Sequence, residues 1–297
     1  MRIALTSDIH ADFVRDGRRA LLLEALADEI RAAEADVLCI AGDVCNHAND
    51  LADILRPLAV ARLNLYVPGN HDVWRKPSEL ARQRNSEGAL HLLKAAAEKA
   101  GFVYLPGNPQ TFDGWGFAGS LGWYDYTFNR PDLGAPMAAY RAKSWRGIGN
   151  NDGEYAWWPR IDGSRAGDDE MTDRFLAELA QDLATLGCNE EGGPPTVAMT
   201  HVLPYRQLVE YRGNPEWDFF SAFMGSERFG ALYDTLPSVR AAFAGHTHVP
   251  RGFVRPDGFM AAVSPVGYYG SLEFPHDLSE RVAVFETQGN SLIRIAP

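Results

Sequence analysis

The sequence predicts an α/β fold built around a largely parallel sheet. In the first hundred residues, short β-branched runs alternate with longer helical stretches, which is typical of strand-helix-strand units. The chain has 297 residues, of which 46% are hydrophobic and 23% charged, and this composition is that of a folded protein with a sizeable core. Because no Pro- or Ser-rich linker divides the chain, we expect a single domain over residues 1–297.

Apolar β-branched runs predict the first strands, at 2–7, 37–41 and 63–67. Apolar residues at helical spacing predict the first helices, at about 17–35, 50–61 and 87–100. Asp16 is the expected N-cap of the first helix, and Leu22, Leu26 and Ile30 form its core-facing stripe. The second helix must bend at or tolerate Pro57, because proline has no amide hydrogen to donate.

The middle of the chain changes in character after about residue 110. Residues 111–120 alternate like a hairpin or an edge strand, and residues 122–169 form a turn-rich segment with many aromatic side chains. The aromatics are Trp123, Tyr124, Tyr126, Phe128, Tyr140, Trp145, Tyr155, Trp157 and Trp158. Two interpretations are open, and they are compatible: a loop-rich insertion packing its own small core, or a cap-like lid over a pocket.

The last third of the chain predicts a second set of short strands with two helices. The helices are expected at about 170–186 and 227–236. The strands are expected at 196–200, 240–244, 258–263, 281–286 and 291–295.

Charge and cysteine content limit the classes of function. The 28 Lys and Arg residues against 39 Asp and Glu give a net charge of −11, and no basic block is present to hold duplex nucleic acid. Apolar runs are too short for a signal sequence or a membrane span, so no membrane association is expected. Three cysteines cannot all pair within one chain, which favours a reduced, cytoplasmic protein.

Five short blocks place metal-ligand side chains directly after apolar strands. They are Asp8-Ile9-His10, Gly42-Asp43, Gly69-Asn70-His71-Asp72, Thr200-His201 and Gly245-His246-Thr247-His248. Each block alone is as well explained by capping or hydrogen bonding as by metal binding. Together they hold five of the eight histidines, and strand ends in an α/β sheet converge on one rim. The other histidines, His47, His91 and His276, are expected to be ordinary surface or helix residues.

The donor types indicate two divalent transition-metal ions. Two Asp, one Asn and four His form a mixed oxygen and imidazole set, and seven ligands exceed the need of one tetrahedral ion. Two ions that share a carboxylate would use all seven. The same donors suit Mn, Fe, Zn, Co or Ni, so the sequence leaves the metal open.

In this order, the blocks resemble the calcineurin-like metallophosphoesterase family, whose pattern is DxH, GD, GNH[DE], a lone His and then GHxH. The resemblance implies a four-layer α/β/β/α sandwich in which two mixed sheets pack face to face between helices. It also implies that Asp43 bridges two ions, one held by Asp8, His10 and His248 and the other by Asn70, His201 and His246. His71 takes the position of the catalytic histidine and Asp72 that of its neighbouring acid.

One departure from the pattern bears on the substrate. The phosphoprotein phosphatase branch follows its bridging Asp with an Asp and an Arg, whereas Asp43 is followed here by Val44-Cys45-Asn46. Asn46 cannot hold His71 protonated as a carboxylate would, and the missing Arg removes a bidentate phosphate clamp. A phosphoprotein substrate is therefore disfavoured, and Cys45 is expected to be a buried spectator. We expect Asn46, Trp123, Tyr124 and Tyr268 to contact the substrate.

The resulting prediction is a metal-dependent phosphoesterase in which a metal-bridging hydroxide attacks a phosphodiester or other organic phosphate directly. A small organic phosphate or a nucleotide is the expected substrate. The alternatives are a phosphomonoesterase or nucleotide pyrophosphatase of the same family, a nuclease acting on single strands, and a metal-binding scaffold without turnover. A scaffold is expected to have lost ligands, but this chain retains all seven.

Overall fold

The computed structural model describes residues 1–14, 17–80, 85–268 and 278–296. These residues contain fourteen strands: β1 (Arg2–Thr6), β2 (Val37–Ala41), β3 (Leu63–Val67), β4 (Val103–Tyr104), β5 (Gln110–Phe112), β6 (Trp115–Ser120), β7 (Ser144–Trp145), β8 (Ile148–Gly149), β9 (Thr196–Thr200), β10 (Val239–Ala244), β11 (Arg251–Val254), β12 (Met260–Val263), β13 (Ala283–Gln288) and β14 (Ser291–Ala296). They also contain nine α-helices: α1 (Arg18–Ala32), α2 (Ala48–Leu55), α3 (Pro77–Leu80), α4 (Ser86–Lys99), α5 (Met137–Arg141), α6 (Asp152–Tyr155), α7 (Asp168–Thr185), α8 (Pro215–Phe220) and α9 (Glu227–Asp234).

Twelve of these strands form two six-stranded mixed sheets. The first has the order β14-β13-β1-β2-β3-β4, in which β1 to β4 are parallel, β13 is antiparallel to β1, and β14 is antiparallel to β13. The second has the order β11-β12-β10-β9-β6-β5, with four parallel strands between two antiparallel edges. The expected α/β architecture of two mixed sheets is confirmed.

The two sheets pack face to face through alternate residues of their strands. Ile3, Leu5, Val197 and Met199 belong to one continuous buried cluster that both sheets share. The rings of Phe243 on β10 and Phe285 on β13 lie 4.8 Å apart across this interface. Since side chains alternate between the two faces of a strand, the intervening residues face outward and pack against helices. This arrangement gives the four layers implied by the family resemblance.

The helices follow the sequence expectations, with shifted ends. In α1 the predicted stripe of Leu22, Leu26 and Ile30 is buried, while the expected cap Asp16 lies outside the described residues. The predicted helix at 50–61 is shorter: α2 ends at Leu55, and a 3-10 turn takes up Pro57 near its start, where a missing amide hydrogen costs little. The short helix α8 and the edge strand β11 were not predicted, because neither has a long periodic pattern.

Residues 122–169 contain α5, α6 and the two-stranded ribbon of β7 and β8. Their aromatic side chains are mostly buried, and the Tyr140 ring stacks on Phe219 of α8 at 5.1 Å. The segment therefore packs closely against residues between β9 and α9. None of the described helices is both long enough and apolar enough to cross a membrane.

Candidate metal centre

All five sequence blocks lie at the carboxyl ends of parallel strands, where the two sheets meet. The blocks after β1, β2 and β3 belong to the first sheet, and those after β9 and β10 to the second. Three groups of side chains place ligand atoms within 4.8 Å of one another: Asp8, His10 and His248; His10, Asp43 and His71; and Asp43, His201 and His246. These groups contain six of the seven residues proposed as ligands from the sequence, together with His71, and the seventh, Asn70, contacts His201.

The first group joins the strand end of β1 to that of β10. The Nε2 atoms of His10 and His248 lie 3.1 Å apart, and His248 Nε2 lies 3.6 Å from Asp8 Oδ1. Ligand atoms about 2.1 Å from one ion and at right angles to each other are about 3.0 Å apart. The spacing of this group therefore fits three ligands of one ion.

Asn70, His201 and His246 form the second group of proposed ligands, and they lie at the ends of β3, β9 and β10. His201 Nε2 lies 3.0 Å from Asn70 Oδ1 and 3.2 Å from His246 Nδ1. These distances again match neighbouring ligands on one ion. An amide oxygen and two imidazole nitrogens are donors that divalent transition metals accept.

Asp43 lies between the two groups, with one oxygen facing each. Its Oδ1 is 3.4 Å from His201 Nε2, and its Oδ2 is 3.8 Å from His10 Nε2. Asp43 is 1% exposed, and its Oδ2 has no hydrogen-bond partner among the described residues. A buried carboxylate oxygen without a partner is costly unless a cation occupies the space beside it.

Backbone carbonyls fix the proton positions on the ligating histidines of the second group. His201 donates its Nδ1 hydrogen to the carbonyl of Ala41 at 2.8 Å, and His246 donates its Nε2 hydrogen to that of Phe223 at 3.1 Å. When each ring is neutral, its other nitrogen carries a lone pair, and these two nitrogens lie close to each other and to Asn70 Oδ1. Histidines that bind metals are held in this way, so the donor set fits a cation at its centre.

The pKa values reflect burial and the mutual charges of this cluster. Burial disfavours charge on Asp43, but the charges of His201 and His71 outweigh it and hold the pKa of that carboxyl well below its usual range. Burial alone would lower the pKa of His201, yet the charge of Asp43 raises it to about 9. Burial, followed by the charge of His201, lowers the pKa of His246 to about 3. Because a metal binds neutral imidazole, His246 is ready to bind at neutral pH, whereas His201 would release a proton when a metal binds.

The loops that carry the ligands have unusual backbone conformations. Asp8, His10, Asp43 and His246 have φ values of 52°, 45°, 54° and 69°, in the left-handed region. Gly42 allows a close approach between the sheets: its φ is 85°, and a Cβ there would lie 2.6 Å from His201 Nδ1. A Cβ on Gly69 would overlap the Asp43 carboxylate. Only glycine fits where the loop after β2 meets His201 and the loop after β3 meets Asp43.

Asp72 does not occupy the catalytic position expected from the sequence. Its carboxylate is fully buried and accepts hydrogen bonds from four backbone amides and from the hydroxyl of Tyr66. The amides are those of Asp43, Val44, Cys45 and Gly69, at 2.7 to 3.0 Å. Asp72 therefore fixes the loops that present Asp43 and His71, and does not face the reacting group itself. Cys45 is buried beside it, as expected.

His71 lies at the edge of the cluster formed by the seven proposed metal ligands, and it is held on two sides. Its Nδ1 is 2.9 Å from Asn46 Oδ1, and its ring stacks on Trp74 with centroids 3.6 Å apart. Its Nε2 points toward the cluster, 3.9 Å from Asp43 Oδ2. Asn46 thus acts on His71 and is not the direct substrate contact that was expected. Burial lowers the pKa of His71, although the charge of Asp43 opposes this shift.

Asp152 is the residue of the site that sequence reasoning missed. It is fully buried, and its Oδ1 accepts from the Asn70 amide at 3.0 Å and from the Trp74 indole at 2.6 Å. Its Oδ2 accepts from the Tyr124 hydroxyl at 3.0 Å. Asp152 belongs to α6 in the aromatic segment and stands in no block, so the sequence offers no signal for it.

Trp123 and Tyr124 do not contact the substrate space, contrary to expectation. They are 1% and 0% exposed, and the Trp123 indole donates to Asp168 at 2.8 Å. The apolar surface of two large rings favours the protein interior over an open cleft, which explains their position. Tyr268, by contrast, is at the site: its ring stacks on His10 at 4.8 Å and is 48% exposed.

A cavity of about 570 Å³ opens over the cluster of proposed metal ligands. Its walls come from the loops after β2, β3, β10 and β12, from β8 and the loop after it, and from the region of α8: Asp43, Asn70, His71, Trp74, Gly149, Asn150, Asn151, Glu210, Arg212, Trp217, Phe220, Ser221, Met224, His246, Thr247, His248, Val249 and Tyr268. The aromatic segment 122–169 thus reaches the cavity through Asn150 and its neighbours, and not through its rings.

Comparisons with known proteins agree with this geometry. The family model of calcineurin-like phosphoesterases matches residues 1–250 of the chain. Comparison with curated protein sequences gives no match.

Several solved structures share the fold. A phosphopantetheinyl hydrolase from Mycobacterium tuberculosis superposes with a TM-score of 0.66 at 20% identity, covering 99% of this chain and 95% of that one. A dimetal phosphatase from Danio rerio gives 0.52 at 12% identity, covering 100% and 98%. A purple acid phosphatase from yellow lupin, Lupinus luteus, gives 0.51 at 12% identity, and the chain covers 51% of that protein. At these identities the likeness concerns the fold.

Proposed function

Because the chain belongs to the calcineurin-like phosphoesterase family, we propose that it hydrolyses a small organic phosphate with two divalent metal ions, and that a phosphodiester is the favoured substrate. The observation that carries this proposal is the position of Asp43 between two groups of ligand atoms, 3.4 Å from His201 and 3.8 Å from His10. Two ions there would act as Lewis acids toward the phosphoryl oxygens and lower the pKa of a water molecule for direct attack on phosphorus.

The ligands are proposed in two sets that share Asp43. Asp8, His10 and His248 would hold one ion, and Asn70, His201 and His246 the other. Each set combines imidazole nitrogens with an oxygen donor, a mixture that suits Mn, Fe, Zn, Co or Ni. The buried carbonyls of Ala41 and Phe223 keep two of the imidazoles in the binding tautomer.

His71 is the proposed catalytic histidine. Its Nε2 faces the cluster, while Asn46 and Trp74 hold the ring on the other sides. From this position it would contact a phosphoryl oxygen or give a proton to the departing oxygen, a contribution of about two to four powers of ten. No covalent intermediate is needed, since a water molecule is the nucleophile.

The charge around the site favours a diester over a phosphorylated protein. A diester carries one negative charge, whereas a monoester dianion is commonly gripped by an Arg fork in addition to the metals. Asn46 stands where a carboxylate supports the histidine in phosphoprotein phosphatases.

The alternatives are a phosphomonoesterase or nucleotide pyrophosphatase with the same centre, and a scaffold that binds metal without turnover. We also propose a cytoplasmic location, because Cys39, Cys45 and Cys188 are buried as free thiols.

Metal analysis combined with a substrate panel tests the proposal. The purified chain, reconstituted separately with each candidate metal, should bind close to two ions. It should also hydrolyse at least one member of a panel of phosphodiesters, phosphomonoesters, cyclic nucleotides, pyrophosphates and a phosphopantetheinyl ester. Asp43→Asn should lose at least one ion and nearly all activity, because a neutral amide bridges two cations poorly. Two bound ions with no turnover of any compound would instead support the scaffold.

A further inference from the structure

The cavity over the metal cluster is much larger than a phosphoryl group requires. Its volume of about 570 Å³ lies within the range of about 300–1,000 Å³ that is typical of pockets for drug-sized ligands. Four of the proposed metal ligands, Asp43, Asn70, His246 and His248, line part of the cavity. The remaining space must therefore receive the organic part of a substrate whose phosphorus lies at the metals.

Apolar side chains form a large part of the cavity wall. Trp217 and Phe220 come from α8, Met224 from the turn that follows, and Val249 from the loop after β10. Trp217 lines the cavity and is 39% exposed, so part of its ring is open to a ligand. This wall offers an organic group extensive apolar contact.

Hydrogen bonds to Asp218 and Glu210 hold this wall in place. The fully buried carboxylate of Asp218 accepts from the amides of Arg212 and Gly213 at 2.8 and 3.0 Å, and from the Arg130 guanidinium at 3.1 Å. The Trp217 indole donates to the carbonyl of Glu210 at 3.1 Å. A wall fixed before binding loses little conformational freedom when a ligand arrives, so its contacts contribute to affinity.

The wall is poor in positive charge. Among the described lining residues, Arg212 is the one Lys or Arg side chain. Its guanidinium is already engaged: it donates to Glu210 at 2.8 Å and lies flat over the Trp217 ring, 3.4 Å from the centroid. A second phosphate in this space would lack the cations that normally compensate its charge.

From these observations we infer that the substrate carries a bulky, mainly apolar organic group that lies against Trp217, Phe220 and Met224, and not a polyphosphate chain. This inference rests on the proposed phosphoesterase function and specifies the substrate class of the same site.

Alkyl 4-nitrophenyl phosphate diesters with methyl, butyl and octyl groups test the inference. Every member releases the same nitrophenolate, so differences in kcat/KM report binding of the alkyl group. Burying one methylene is worth up to about fourfold, so the butyl ester should exceed the methyl ester by tenfold or more. Trp217→Ala should flatten this dependence while metal content stays unchanged, and Trp217→Phe should retain part of it. Ile161→Ala changes a fully exposed apolar residue away from the cavity and should behave as wild type.

The outcomes separate this inference from the proposed function. If kcat/KM did not depend on alkyl chain length, the inference would be wrong, but the proposed phosphoesterase function would be unaffected. The same holds if nucleoside polyphosphate esters were hydrolysed faster than the octyl ester. If no ester is hydrolysed, calorimetry with methyl- and octylphosphonate tests the cavity directly in the metal-loaded protein. Tighter binding of octylphosphonate that Trp217→Ala abolishes supports the inference, whereas equal affinities contradict it.

Discussion

The side-chain amide of Asn70 donates to the buried carboxylate of Asp152 at 3.0 Å, and this contact turns the amide oxygen toward His201. A carboxylate has no hydrogen to donate, so it selects one of the two orientations of the amide. The selected orientation presents an oxygen lone pair to the proposed second ion. Asp152 is therefore a positioning residue for a ligand from another part of the chain.

Replacement of Asp152 should weaken the second metal position selectively. Asp152→Ala leaves the Asn70 amide free to rotate, and loss of such a supporting contact typically costs 10- to 100-fold in metal affinity. We expect about one tightly bound ion instead of two, measured by elemental analysis after dialysis against a weak chelator. Asp152→Asn can still accept from Asn70 and Trp74 and donate to Tyr124, so it should restore most of the second ion.

Tyr124→Phe is the matched control for this prediction. It removes only the third hydrogen bond of Asp152 and keeps the ring in place. If it lowered metal content as far as Asp152→Ala does, general loosening of the segment would explain the loss, and the specific orientation of Asn70 would not.

Asp72→Ala should destabilise the protein strongly. The substitution leaves four buried backbone amides without an acceptor, and each such group costs about 1–3 kcal/mol. We expect the free energy of unfolding of the metal-loaded protein to fall by at least about 3 kcal/mol in urea denaturation. Tyr66→Phe removes only the hydroxyl contact at 2.9 Å and should cost about 1 kcal/mol. Comparable stability of Asp72→Ala and wild type would contradict the assigned role.

Asn46→Asp should change the pH dependence of the reaction. Burial lowers the pKa of His71, so at neutral pH the ring is mostly without the extra proton that a basic leaving group needs. A carboxylate 2.9 Å from Nδ1 favours the protonated ring and should raise its pKa. For alkyl esters, kcat/KM falls as pH rises through this pKa, and the falling limb should move to higher pH in the variant.

His71→Ala provides the comparison for that pH profile. It should reduce hydrolysis of an alkyl diester far more than that of bis-nitrophenyl phosphate, because nitrophenolate departs without a proton. An equal loss on both esters would mean that His71 only positions the phosphoryl group. In that case Asn46→Asp should leave the falling limb unmoved.

Substitution of a buried aromatic residue in the segment 122–169 should lower stability without changing substrate specificity. Trp123 is buried and hydrogen-bonded to Asp168, so Trp123→Ala should lower the free energy of unfolding by about 3–5 kcal/mol. The ratio of KM values between small and large substrates should stay the same, because the side chain does not line the cavity. A shift in that ratio without loss of stability would favour the lid interpretation of these rings.

The sequence predicted the parts of the site that depend on local order. Asp8, Asp43 and His201 directly follow apolar strands, so their convergence could be inferred from strand ends alone. The orientation of Asp72 could not be inferred, because it depends on which backbone amides lie near its carboxylate after folding. The motif alone gave it a catalytic position that it does not have.

The aromatic segment shows a second limit of sequence reasoning. Its abundance of rings predicted either a core or a lid, and nothing in the pattern distinguishes a buried Trp123 from an exposed Trp217. Burial depends on long-range packing, as in the stack of Tyr140 on Phe219. For the same reason Asp152, whose partners are 28 to 82 positions away in sequence, carried no recognisable signal.

The division of the ligands between two sheets has a consequence for how the protein responds to its surroundings. One sheet supplies Asp8, Asp43 and Asn70, and the other supplies His201, His246 and His248. Bound ions would therefore cross-link the two sheets. A ligand that binds only the folded state raises stability with its concentration relative to its dissociation constant. The increase in melting temperature on adding a metal would then report its affinity. At equal concentrations, the ion that raises the melting temperature most would be the one that binds this centre most tightly.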